Sequence, residues 1–279
     1  MNYNRGNEVY LRREVATQTE VDILYAEANK IVQNFNKIEK YWKRVEQTNN
    51  ILLFCTISLC LTILLRWNMA KSYDLRFQAP FTMQVVGGTS SGKSYWTRRL
   101  LENASELIHP PPDRIIYAYG EWQEMFSEMK GVEFVQGLSE NLVSRENLKG
   151  HTCLVIDDLS DEVDEKLIGA LFTKLSHHRK ISVIFLLNNL YYRGLKNMRD
   201  ISLNTHYLVV FKSARDHGSI TTIARQMYGK NYKLLLAAYE DATSEKFGYL
   251  MIDSKAATPN EIRLRTKIFP GETSICYTS

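Results

Sequence analysis

The stretch FTMQVVGGTSSGKSYW, residues 81–96, decides how the rest of this chain is read. It opens with an apolar run of strand length and closes on a helix-forming run. Between them, Gly87-x-x-x-x-Gly92-Lys93-Ser94 matches a phosphate-gripping loop in full, with the strand before it and the helix after it. Glycines let backbone N–H groups turn inward around an anion, and the helix N-terminus adds partial positive charge. Gly87, Gly88, Thr89, Ser90, Ser91 and Gly92 would form the cradle. Lys93 would reach the β and γ phosphates, and Ser94 would hold Mg²⁺ through its hydroxyl. The expected ligands are therefore a nucleotide and Mg²⁺.

Downstream, β and α signals alternate. Strands are expected at 114–120, 132–137, 152–158, 181–189 and 206–211, and helices at 92–108, 122–130 and 161–180. The strands are continuously apolar, which fits a parallel sheet covered on both faces by helices. The 161–180 helix begins acidic and ends basic, as the helix dipole prefers. Two more helices, 218–228 and 233–244, lead to late and antiparallel strands at 249–253 and 262–269.

Three further groups fit the loop's chemistry. In LVIDDL, residues 154–159, apolar strand residues run into Asp157, placed to bind Mg²⁺ through water. Asp158 is then placed to orient or deprotonate an attacking water. Asn188 ends the 181–187 strand, and a side-chain amide there can bond both water and a phosphate oxygen, although a plain Asn turn is the simpler use. Arg193, Arg199, Arg215 and Arg225 have no evident structural duty; Arg199 and Arg215 flank the fifth strand and are the candidates for a cation supplied to a neighbouring copy. The clusters 177–180, Lys196 with Arg199, and Arg263 with Arg265 and Lys267 would grip a phosphate backbone, if they are not ordinary solvated faces.

Upstream the texture differs. Residues 1–20 are polar, lack a clear period and read as flexible. Leu24, Ala28, Ile31, Phe35, Ile38, Trp42 and Val45 step by four and three, which suits a coiled-coil seam or the inner face of one amphipathic helix over 21–50. The run ILLFCTISLCLTILL, 51–65, carries no charge and is closed by Arg66 and Trp67; 51–67 is a candidate membrane anchor or else a buried helix. A net charge of +4 permits nucleic-acid or anionic-lipid contact without arguing for either. Cys55, Cys60, Cys153 and Cys276 show no metal-type spacing and read as reduced thiols of an intracellular protein.

Taken in order, APFTMQVVGGTSSGKSYW, PPPDRIIYAYGEWQEMF, LVIDDL, FLLNNLYYRG, RDISLNTHYLVVFKSARD, IARQMYG and FGYLMID resemble the FtsK/HerA-type genome-packaging ATPases, above all those of Polinton/Maverick and adintovirus-like elements, relatives of the poxvirus packaging ATPase. The resemblance covers about 72–272 and leaves 273–279 as a tail. It implies an α/β fold, a P-loop NTPase of the RecA/ASCE-like kind with a mostly parallel central sheet. It also implies a ring-type oligomer that hydrolyses ATP to thread double-stranded DNA into a capsid, with a capsid or portal component as a further partner. The nucleus, the cytoplasm or a viral assembly site would be its place. By position, Gly87, Gly92, Lys93 and Ser94 bind nucleotide and Mg²⁺, Asp157 and Asp158 form the acidic pair, and Asn188 is the phosphate sensor. Two positions depart from the family pattern. Leu187 stands where Gln is commoner, and Asp158 where many relatives have Glu. A small-molecule P-loop kinase and a membrane-tethered, nucleotide-binding scaffold are the competing readings.

Overall fold

The computed structural model describes residues 2–5, 8–14, 18–42, 73–144, 150–158, 165–190, 198–213 and 216–278. The apolar segment 51–67, Cys55, Cys60, Arg193, Lys196 and Arg215 lie outside the described residues. Among the described residues, no helix is long and apolar enough to cross a membrane.

The strands are, in chain order, β1 (Asn2–Arg5), β2 (Glu8–Glu14), β3 (Phe77–Gln78), β4 (Thr82–Val86), β5 (Ile108–His109), β6 (Arg114–Tyr119) and β7 (Val132–Gln136). There follow β8 (Thr152–Asp157), β9 (Ile181–Leu187), β10 (Tyr207–Phe211), β11 (Tyr249–Asp253), β12 (Leu264–Thr266) and β13 (Ile275–Thr278). All but β3 and β5 join one sheet of order β1-β2-β13-β12-β11-β10-β4-β9-β8-β6-β7. From β10 to β7 every pair is parallel; from β10 towards β1 every pair is antiparallel. The fold is α/β with a mostly parallel centre.

Burial explains why the central strands are apolar without alternation. Every residue of β4, β8 and β9 is buried. Successive side chains point to opposite faces, so each strand feeds two cores. Leu154, Ile156, Val183, Phe185, Leu208 and Val210 face a layer completed by the helices Glu165–Ala170, His217–Tyr228 and Lys233–Ala242. Cys153, Val155, Ile184, Leu186, Val209 and Phe211 face the other layer, which takes Trp96, Leu100 and Leu101 from the helix Lys93–Glu102. Trp96 and Leu100 are four apart and so share that helix's inner face. Each fully buried Val, Leu or Ile contributes about 1.5–3 kcal/mol, so both helix layers are fixed by the strands they cover.

The helices depart from the expected spans in three places. The helix expected over 92–108 breaks at Asn103, whose side-chain amide donates to Arg99 O at 2.8 Å. Asn competes for backbone in this way, and only a short turn, Ala104–Leu107, follows. The segment expected to be helical at 122–130 holds a single tight turn, Glu124–Glu128. The helix expected over 161–180 is described from Glu165 and widens into a π-type turn at Leu171–Leu175 before Ser176–Arg179.

One end of the sheet holds strands that sequence patterning did not show. Residues 273–279, read as a tail, contain β13, in which Ile275, Cys276 and Tyr277 are buried. It pairs with β2, and β1 pairs with β2, within the segment read as flexible. Met1–Val15 and Leu75–Ser279 form one compact unit, and Ala16–Asp74 a second. In the second unit the helix Gln18–Trp42 leaves Tyr25, Ile31, Val32 and Ile38 exposed.

At the amino ends of β4 and β10, away from the phosphate loop, His206 Nδ1 accepts from the Thr82 N–H at 3.0 Å. A nitrogen that accepts carries no proton, so this ring is neutral. Burial lowers its pKa from the usual 6.5; His177 and Lys255 push the same way, and Asp253 opposes them. A depressed folded-state pKa gives stability that is complete above the unfolded value and is lost as pH falls through the folded one. The urea midpoint should therefore fall between pH 7.5 and 5. His206→Gln should flatten that fall, and an unchanged slope in the variant would contradict the assignment.

Candidate functional site

The strand ends of a parallel α/β sheet place their loops along one edge, and ligands bind there. Here β4, β6, β8 and β9 bring their carboxyl ends to a cleft of about 540 Å³. Its lining includes Thr89–Tyr95, Gln123, Asp157, Asp158, Asn188 and Phe247. The sequence-expected loop, acidic pair and Asn188 thus meet in one place.

The loop after β4 is shaped by two glycines with different duties. A Cβ on Gly87 would lie 2.5 Å from Ser91 Oγ and 2.7 Å from Phe211 Cβ, so the close approach of loop and β10 requires glycine. Gly92 sits at φ +105°, a conformation that side chains resist, as it opens the helix Lys93–Glu102. A Cβ on Gly88 would meet nothing within 4 Å among the described residues, so Gly88 has no such steric duty. The Ser91 hydroxyl is buried and, among the described residues, has no hydrogen-bond partner. An orphaned donor inside a cradle at a helix N-terminus fits an incoming phosphate oxygen.

Lys93 crosses the loop. Its ammonium donates to Gly87 O at 2.6 Å, to Gly88 O at 3.1 Å and to Asn188 Oδ1 at 3.2 Å. Burial pulls its pKa below the usual lysine value, while Asp157 and Asp158 hold the charge in place. The bond to Asn188 shows that the end of β9 reaches the loop. Asn189, next in the chain, is exposed and does not line the cleft.

Asp157 closes β8 and is 6% exposed. Burial raises its pKa; a hydrogen bond from Tyr117 Oη at 2.7 Å works the other way, as does one from the Ser94 hydroxyl. Ser94 and Asp157 therefore face one another. A hydroxyl and a carboxylate are hard oxygen donors, the set that Mg²⁺ uses when phosphates supply further ligands. Asp158 lies on the exposed side at φ +52°. The left-handed region is open to Asp and Asn and strained for longer residues, a physical reason for the shorter acid at this position.

The arginines divide. Arg199 is exposed on the helix Met198–Leu203 and does not line the cleft of its own chain. Arg225 lies over the Tyr232 ring at 4.9 Å. In the basic strand cluster, Arg265 and Arg263 are engaged within the fold and Lys267 is exposed. Arg265 is 2% exposed, 3.8 Å from Asp253, and Arg263 donates to the carbonyls of Asp253, Lys255 and Thr258. In the 177–180 cluster, the His177 ring packs edge-on to His206, and Arg179 donates to Val143 O.

Sequence reasoning missed Tyr117, Gln123 and Phe247. Tyr117 lies beside Val155 in the β6–β8 register, so its hydroxyl meets the carboxylate two residues on. No local pattern announces that. Gln123 follows β6, a neighbour of β8, and the strand order alone points to it.

No protein-family model matches this sequence, and no curated protein matches it. Among solved structures, it is similar to the pCW3 conjugation coupling protein TcpA in monomer form with ATPgS, at 15% identity and TM-score 0.40, over 63% of this chain and 58% of that one. It is similar to the cytoplasmic domain of the Thermomonospora curvata Type VII secretion ATPase EccC, at 13% identity and TM-score 0.40, over 71% of this chain and 25% of that one. It is also similar to a KaiC-like protein from Pyrococcus horikoshii, at 12% identity and TM-score 0.38, over 73% of this chain and 92% of that one. The chain spans less than two thirds of the first two.

Proposed function

We propose that this chain is an ATPase whose turnover moves double-stranded DNA. The observation that carries the ATPase reading is the convergence of Lys93, Ser94, Asp157, Asp158 and Asn188 on one cleft. The strand order supports it as well, because β9 stands between the loop strand β4 and the acidic strand β8. That is the arrangement of P-loop ATPases whose sensor residue ends the intervening strand.

The roles follow from position. The loop N–H groups and Lys93 hold the β and γ phosphates. Ser94 and Asp157 would hold Mg²⁺, which when bound neutralises charge on the phosphates. Asp158 accepts the proton of the attacking water. Asn188, now an acceptor for Lys93, has an amide N–H to give to the γ phosphate or to that water.

DNA as the moved polymer, a ring of copies with Arg199 or Arg215 acting across its interfaces, and packaging into a capsid through a portal component rest on the sequence resemblance. Displacement of a labelled third strand from linear duplex DNA tests the motor reading. The full chain should displace it with ATP and not with a non-hydrolysable analogue. Nucleotide binding with little turnover and no displacement would favour the scaffold reading, and phosphate transfer to a small molecule the kinase reading.

A further inference from the structure

Beyond Gly92 from the phosphate cradle lies a second cavity of about 250 Å³. Gly92, Tyr95 and Phe247 line both this cavity and the cleft. Phe247 therefore stands between them.

Its setting is not that of a packing residue. Phe247 is 53% exposed and Tyr95 61%, so two large rings stand in solvent beside an anion cradle. Phe247 belongs to neither core layer. Its backbone sits at φ +62°, a region bulky residues seldom adopt. The turn around it is enforced. The Gly248 N–H bonds Glu245 O at 3.1 Å, and a Cβ on Gly248 would lie 2.5 Å from Ala242 O. The ring leans over the start of the loop helix, since a Cβ on Gly92 would lie 3.2 Å from Phe247 Cδ1. Backbone strain that holds an apolar ring out of the core points to a ligand.

We infer that the second cavity takes the base of the nucleotide, and that Phe247 is the platform on which the base stacks. The inference rests on the reading of the cleft as a nucleoside triphosphate site. A ligand anchored by its phosphates at 87–94 passes Gly92 and Tyr95 to reach this cavity. An aromatic face suits a nucleobase of any identity. Ser244 and Glu245 at the cavity wall offer polar groups to the base edge, and the Lys246 ammonium, 4.8 Å over the Phe247 ring, leaves the opposite ring face for the base.

The test compares ATP with inorganic tripolyphosphate, which has the phosphates and no base. Affinities would be measured calorimetrically on the full chain with Mg²⁺. Phe247→Ala and Phe247→Leu should each weaken ATP roughly tenfold and leave tripolyphosphate unchanged, and Phe247→Tyr should restore ATP. Leu keeps apolar volume and loses the π-face, so it separates stacking from simple filling. Unchanged ATP affinity in both variants, or an equal loss for tripolyphosphate, overturns the platform while leaving the cleft's assignment intact. A wild-type chain that binds neither ligand overturns the nucleotide reading itself, and this inference with it.

Discussion

Lys93→Ala should abolish ATP turnover, lowering kcat by at least about a hundredfold, the scale seen when one donor to developing charge is removed. The structure explains why no neighbour would replace it. The Lys93 ammonium is the group that joins the loop carbonyls of Gly87 and Gly88 to Asn188, and it faces both Asp157 and Asp158. Without it the two acids stand beside the phosphates with no lysine between them, and like charges repel. Nucleotide affinity should fall as well, since on the proposed reading the lysine would contact the phosphates before and during reaction. Steady-state phosphate release and equilibrium nucleotide binding measure the two effects. A variant with normal turnover would remove Lys93 from the site.

Asp158→Asn should retain nucleotide binding and lose turnover by about a hundredfold or more, the usual contribution of a positioned general base. The substitution is a clean one here. Asp158 sits at φ +52°, and Asn tolerates that conformation as well as Asp does, so the backbone has no reason to move. The carboxylate is exposed at the cleft, so its replacement leaves no buried charge unpaired. The split between kept binding and lost kcat separates a base from a structural acid. Normal hydrolysis by the variant would assign the proton to another group; Gln123 lines the same cleft and could orient the water, although an amide cannot take its proton.

The loop, the acidic strand end and Asn188 were legible because each combines a local pattern with a strand of the right texture. Continuous apolar runs at β4, β8 and β9 mark strands buried on both faces, and chemistry at their carboxyl ends follows from the fold class. What escaped had no local signature. β13 is four residues long, and its place is set in part by pairing with β2 from the far end of the chain. Arg263 and Arg265 read as a basic face, yet their partners, the carbonyls near Asp253 and the Asp253 carboxylate, come from the neighbouring strand and turn. Phe247 lies in a short turn whose meaning depends on Gly92, far away in sequence and close in space.

The central claim is best tested by ATP hydrolysis of the full chain, with and without linear double-stranded DNA, against Lys93→Ala in the same assay. Hydrolysis that DNA raises several-fold and that disappears in the variant is the predicted result. Hydrolysis indifferent to DNA, or equal in wild type and variant, would contradict it.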